Sequence, residues 1–283
     1  MILDPDKHID SVRAFDDFFG ISPRKPELDS LGEILTCFTK IPYENISKII
    51  KVNRYRNDTE SRIRLPEEVI EQHISFHLGG TCFSLTFYLQ SILTQHGFFS
   101  YPVMADMKAG RNVHCCLVAA IDGVKYLVDP GYLLTQPMEL NPAKPKYYRT
   151  EFSGVEVRRT APRTFDLFTF DKHGAKWRYR FRDEPVSPED FLCHWQKSFN
   201  WNSMNYFCLT KVTQDGMLYL RRDFMRETTF SGKKNFNVKR TLHAAIQENF
   251  GIDKQIVEQA EVALNENLRR GGGPDTPDRD EKL

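Results

Sequence analysis

Cys82 stands in Leu78-Gly79-Gly80-Thr81-Cys82-Phe83-Ser84-Leu85, directly before an apolar run that reaches Leu93. The glycines and threonine read as a loop and the run as a buried helix, so the thiol falls at a helix N-terminus. There the helix dipole and the unpaired N–H groups favour a thiolate, and a neighbouring imidazolium favours it further. The Gly79-Gly80 pair allows close backbone approach and would present amide N–H groups to an oxyanion. A cysteine in such a place is equally suited to be a small core residue, so the reading depends on what else faces it.

An imidazole and a carboxylate are available in a fixed relation. The segments Val113 to Ile121 and Val124 to Val128 flank Asp122-Gly123, a two-residue hairpin signal. Pairing Ile121 with Val124 makes His114 face Gly131 and Cys116 face Asp129, and alternation puts His114, Cys116 and Asp129 on one face. His114 and Asp129 are then diagonal neighbours with Cβ atoms roughly 7 Å apart, within reach of a hydrogen bond. A longer loop or a bulge would break this register. An imidazole oriented by a carboxylate is the arrangement that activates a thiol nucleophile.

The elements that must position these groups follow from periodicity. Helical spacing is expected over Asp10 to Phe19, Leu28 to Phe38, from Pro66 to His73, and from Phe83 to His96 before Gly97. From about residue 99 the period changes, with strands expected near Val155 to Arg158, Phe165 to Phe170 and Trp177 to Phe181. Ser187-Pro188-Glu189-Asp190 reads as a helix start, followed by strands near Tyr206 to Thr213 and Met217 to Arg221 around Asp215-Gly216. Helices over Lys239 to Asn249 and Lys254 to Glu266 close the pattern. These predict an α+β chain in parts: a helical domain at 1–98, a barrel-forming β domain at 99–186, an α/β domain at 187–268 and a disordered tail at 269–283.

Composition narrows the class. The 283 residues are 40% hydrophobic and 27% charged with a net charge of +1, a soluble globular balance that gives no general attraction to nucleic acid or an anionic membrane. The N-terminus carries acids early and shows no signal-peptide core, and no apolar run approaches a membrane span, so a cytoplasmic protein is expected. The six cysteines, at 37, 82, 115, 116, 193 and 208, form no framework and are expected as thiols, mostly in the core.

Taken in order, IPYENI (41–46), GGTCFSL (79–85), NVHCCLV (112–118) and YLVDPGY (126–132) resemble the motifs of the arylamine N-acetyltransferase family. The resemblance implies a helical domain, a β-barrel and an α/β lid, with Cys82, His114 and Asp129 as catalytic triad. It further implies a ping-pong reaction that moves an acetyl group from acetyl-CoA, through a Cys82 thioester, to an aromatic amine or hydrazine. Acetyl-CoA enters as acyl-donor substrate, and no metal is implied. Tyr43 and Tyr132 fall where the family has phenylalanines lining the acceptor pocket. Leu78, Ser84 and Thr86 differ from the family's arginine, glutamate and asparagine, and Pro130 stands for its valine.

Other readings stay open at this level. The same triad serves a thiol-dependent amide synthase or hydrolase using another acyl donor, and a catalytically silent binding scaffold could keep the fold. Cys115 and Cys116 beside His114 point to opposite faces, which disfavours joint metal binding, and both are expected in the core. His73 and His77 have helical i,i+4 spacing without the glutamate of a zinc motif, and are expected to be solvated or capping. Lys233, Lys234, Lys239 and Arg240 form a basic cluster, read as a solvated face or a contact for CoA phosphates. The expected partners are an acyl-CoA and a small amine; neither nucleic acid nor membrane is expected, and the oligomeric state is open.

Overall fold

Five helices precede the large sheet. The computed structural model describes residues 1–270 apart from 142, 151 and 173. Its first elements are α1 (Ile9–Phe19), α2 (Leu28–Phe38), β1 (Tyr43–Glu44), α3 (Ile46–Arg54), α4 (Pro66–Phe76) and α5 (Cys82–Gln95). The α5 sequence is apolar on nearly all sides, and Cys82 to Leu89 are buried without a break. A helix of that kind belongs inside, and α5 packs with α1 and α2 around Phe15, Leu31, Phe38 and Tyr88.

The second group of strands comprises β2 (Phe99–Met107), β3 (Gly110–Ile121), β4 (Val124–Val128), β5 (Met138–Glu139), β6 (Lys146–Arg149), β7 (Gly154–Ala161), β8 (Thr164–Asp171) and β9 (Gly174–Arg182). They form one antiparallel sheet in the order β5-β4-β3-β2-β9-β8-β7-β6. It curls into a nearly closed barrel whose edge strands meet through Lys146 Nζ and Glu139 Oε2, 2.9 Å apart. Inward positions such as Val103, Val118, Leu127, Leu167 and Phe181 fill it. The Asp122-Gly123 turn sets the expected register, with Ile121 opposite Val124 and Leu117 opposite Val128.

The last part contains α6 (Pro188–Lys197), β10 (Cys208–Thr213), β11 (Gly216–Arg221), β12 (Phe224–Thr229), β13 (Lys233–Asn237), α7 (Leu242–Phe250) and α8 (Lys254–Arg270). Ser187 caps α6, its Oγ accepting the Asp190 amide at 3.1 Å. The five-stranded sheet runs β1-β10-β11-β12-β13, so two residues from the first part of the chain form its edge. Behind it, Ile46 and Ile49 of α3 share a core with Val257 and Ala260 of α8.

Several expectations need correction. The helix α3 and the strands β1, β2, β5, β6, β12 and β13 are not among the expected elements, and α7 begins at Leu242 rather than Lys239. Helix α8 runs through Arg270, so residues 269 and 270 are helical; the remainder of the expected tail, 271–283, lies outside the described residues, as does His173. Cys193 is exposed, because α6 turns Phe191 and Trp195 inward and the position between them outward. Cys37 and Cys208 are only half-buried. Among the described residues no helix is long and apolar enough to cross a membrane.

Candidate active site

The loop before α5 is held by backbone pairing to β1. Tyr43 bridges to Gly80, and the Glu44 amide donates to the Gly80 carbonyl at 2.9 Å. In return the Gly80 amide donates to the Pro42 carbonyl at 3.3 Å, and the Gly79 amide to Glu44 Oε1 at 3.3 Å. Both glycine amides are therefore engaged within the loop, which corrects their expected role towards an oxyanion. Their use is steric: a Cβ on Gly79 would lie 1.8 Å from the Pro42 oxygen. The amides left to face a ligand at this end are those of the first turn of α5, which lack intrahelical acceptors.

Leu78, where the family motif has arginine, is buried and apolar. A cation reaches the same loop from elsewhere. Arg64, 4% exposed, donates from Nε to the Gly79 carbonyl at 3.0 Å and from Nη1 to Gln72 Oε1 at 2.6 Å. Glu44 and Glu68 draw on its charge against the cost of its burial. The fully buried Glu44 carboxylate also accepts from the Ser47 amide at 2.9 Å.

Cys82 begins α5 and is 6% exposed. His114 lies opposite Ala105 on β3, and Asp129 is one residue beyond β4. The β3–β4 ladder ends at Leu117 and Val128, so the expected pairings of Cys116 with Asp129 and His114 with Gly131 lie past its end. A turn takes over there: Asp129 Oδ1 accepts the Tyr132 amide at 2.9 Å, and its carbonyl accepts the Leu134 amide at 3.0 Å. Asp129 Oδ2 sits 2.8 Å from His114 Nε2, which leaves Nδ1 as the nitrogen for the Cys82 sulfur. Gly131 closes this junction, since a Cβ there would lie 2.9 Å from both Cys82 Cβ and His114 Cε1.

The electrostatics favour charge separation. Hydrogen bonding with Cys115 lowers the Cys82 thiol well below the ordinary range against the opposing effect of burial, and His114 and Lys48 lower it further. Burial alone would depress His114, but the Asp129 carboxylate and the Cys82 sulfur bring it up to about 10. The two shifts together favour a thiolate beside an imidazolium, the form that attacks an electrophilic carbonyl and then protonates a leaving group.

Around this centre, Tyr132 places its ring edge-on to His114 at 5.7 Å, and Tyr179 of β9 packs on His114 at 4.9 Å. Tyr43 is half-buried beside the loop, and its phenol responds to the Cys82 charge. Cys115 is buried in the Cys82 cluster, while Cys116 faces the barrel interior. His73 is buried against the Leu78 carbonyl at 3.1 Å rather than solvated, and His77 caps α4 in a left-handed conformation. Lys233 and Lys234 lie on exposed β13, where Lys233 pairs with Asp171 at 2.9 Å. Lys48, Arg64 and Tyr179 are not marked as site residues by the sequence, because nothing local signals their approach to residues 79–114, whereas Cys115 lies in the core as expected. Among the described residues no cluster is fit to hold a metal.

The sequence model of the N-acetyltransferase family matches residues 27–259. A curated relative, arylamine N-acetyltransferase 1 of Homo sapiens, is 29% identical over 196 residues, covering 60% of this chain and 65% of its own length. The chain thus spans just under two thirds of that relative. The solved arylamine N-acetyltransferase of Mycobacterium abscessus superposes with a TM-score of 0.78 at 17% identity, covering 93% of this chain and 97% of that one. The Mycobacterium marinum arylamine N-acetyltransferase in complex with CoA gives 0.76 at 15% identity, covering 90% and 98%. The structural likenesses establish a shared fold, with helices, nearly closed barrel and second sheet in the expected α+β arrangement.

Proposed function

The chain belongs to the arylamine N-acetyltransferase family, and on that premise we propose that it is an acyltransferase working through a Cys82 thioester. The donor is acetyl-CoA and the acceptor an aromatic amine or hydrazine. The observation that carries this reading is the buried thiol at the start of α5, facing an imidazole whose Nε2 lies 2.8 Å from the Asp129 carboxylate. The Cys82 thiolate attacks the acetyl carbonyl carbon, the bond from that carbon to the CoA sulfur breaks, and the His114 imidazolium protonates the departing sulfur. CoA leaves and the amine enters. Neutral His114 then takes a proton from the attacking amine nitrogen, an N-acetyl bond forms, and the Cys82 thiolate and His114 imidazolium return. Asp129 keeps the imidazole oriented throughout. Tyr43 and Tyr132 line the acceptor side.

Intact mass after mixing with acetyl-CoA alone tests this directly. One acetyl group is expected on Cys82 and none on Cys82→Ala, and addition of an aromatic amine should clear it. Absence of any adduct from acetyl-CoA or an aryl ester overturns the reading.

A further inference from the structure

Lys48 is buried at 7% exposure, and among the described residues no carboxylate pairs with it. Its Nζ donates to Ser198 Oγ at 2.6 Å and to the Ser198 carbonyl at 3.1 Å. It lies over the rings of Phe199 and Trp201, 5.1 and 5.7 Å from their centres. Those contacts leave the positive charge without a formal counterion in a region that excludes water. Glu44, on the adjoining strand, turns instead to Ser47 and the Gly79 amide. Lys48 is also the third residue of α3, at the positive end of a helix, where a cation is disfavoured. A buried lysine that serves only packing has no reason to accept all three costs.

The groups that favour its charge belong to the site. The first turns of α3 and α5 are tied together by the Tyr43–Gly80 bridge, so Lys48 and Cys82 approach from adjoining helix starts. Phe199, beneath the ammonium, shares a cluster with Cys82 and Cys115, and Trp201 packs 6.0 Å from the ring of Phe83. We propose that Lys48 is a positioning residue of this site, its ammonium holding the Cys82 sulfur as a thiolate from the α3 side while His114 holds it from the β3 side. The proposal rests on Cys82 being the nucleophile. The other titratable groups that sense the sulfur are Cys115, Cys116 and Tyr43, all neutral as thiols or phenol. The Arg62 guanidinium lies 5.9 Å from the same Phe199 ring. Burial pulls Lys48 down to about 8, and the charge of the Cys82 sulfur opposes this.

The test is the pH dependence of Cys82 alkylation by iodoacetamide, located by peptide mass, on the full chain of wild type, Lys48→Met, Lys48→Arg and Ser198→Ala. Lys48→Met should raise the midpoint by about one pH unit, so alkylation below it falls about tenfold. Lys48→Arg should restore most of the loss, and Ser198→Ala should shift the midpoint the same way by less. Thermal midpoints recorded alongside separate lost packing from lost charge. A folded Lys48→Met with the wild-type midpoint overturns the proposal, as does a Lys48→Arg shift equal to that of methionine. If Lys48→Met does not fold, an unmoved Ser198→Ala midpoint overturns it. A wild-type Cys82 that titrates as an ordinary thiol ends both this proposal and the nucleophile assignment, whereas a depressed wild-type midpoint unmoved in the variants ends only the former.

Discussion

Two buried cations bear on the charge of Cys82, and their own pKa values are moved in opposite directions. On the barrel side, His114 is raised to about 10 although burial opposes its charge, because a carboxylate stands 2.8 Å away. On the α3 side, Lys48 is lowered to about 8, with neutral oxygens and aromatic faces around its ammonium. Both side chains are almost inaccessible, so burial does not separate them. The partner does: a buried charge keeps its proton according to whether an anion shares its enclosure. The imidazole is thereby a dependable proton donor, and the lysine a cation whose charge depends on the sulfur.

The comparison breaks most visibly at Asp129. Asp129→Asn removes the carboxylate and leaves His114 in the condition of Lys48, buried with the Cys82 sulfur as its remaining charged neighbour. Its imidazole should then fall from about 10, and acylation of Cys82 by acetyl-CoA should slow roughly 10⁴-fold. An acylation rate within tenfold of wild type would show that the carboxylate is not what sets the imidazole apart.

Arg64 sharpens the same point from a third position, since it is buried like Lys48 but shares carboxylates as His114 does. Arg64→Met leaves Glu44 enclosed without its cation and should destabilise the fold by about 3–5 kcal/mol, read from urea unfolding. A loss below about 1 kcal/mol, the value of a surface ion pair, would place Arg64 outside this class.

The smallest effect needs no substitution. The rate of Cys82 acylation should be level across neutral pH and fall at both ends. On the acid side it falls as the thiolate is protonated below its lowered pKa, and on the basic side as His114 loses its proton near 10. Because the folded imidazole is raised, its contribution to stability is complete below about 6.5, its unfolded value, and disappears as pH climbs through about 10. A basic limb near 7 would mean that Asp129 does not hold the proton on His114.

The histidine side of the site was legible because its geometry is local. His114 and Asp129 lie fifteen positions apart with a two-residue turn between them, and side-chain alternation does the rest. Even there the ladder stops short, and the turn at 130–133 that holds Asp129 carried no recognised pattern. The lysine side was not legible: Lys48 and Ser198 lie 150 residues apart, and only the seating of α3 against the chain after α6 brings them together. Gly79 and Gly80 show another limit, since glycine type marks close approach without saying which neighbour takes the amides. The strand β13 was missed because all five of its residues are exposed, leaving no alternation to read.

The edge position of β1 bears on the order in which the molecule is made. Tyr43 and Glu44 pair with Thr210 and Leu209, and Asn45 is gripped by Ser203, Tyr206 and Cys208, all of which leave the ribosome long after Cys82. The helices and the barrel are synthesised first, yet β1, which pairs with the loop at Gly80, gains its partner in the second sheet only when β10 is made. A chain truncated before β10 would keep Cys82, His114 and Asp129 but lack one of the two pairing partners of β1.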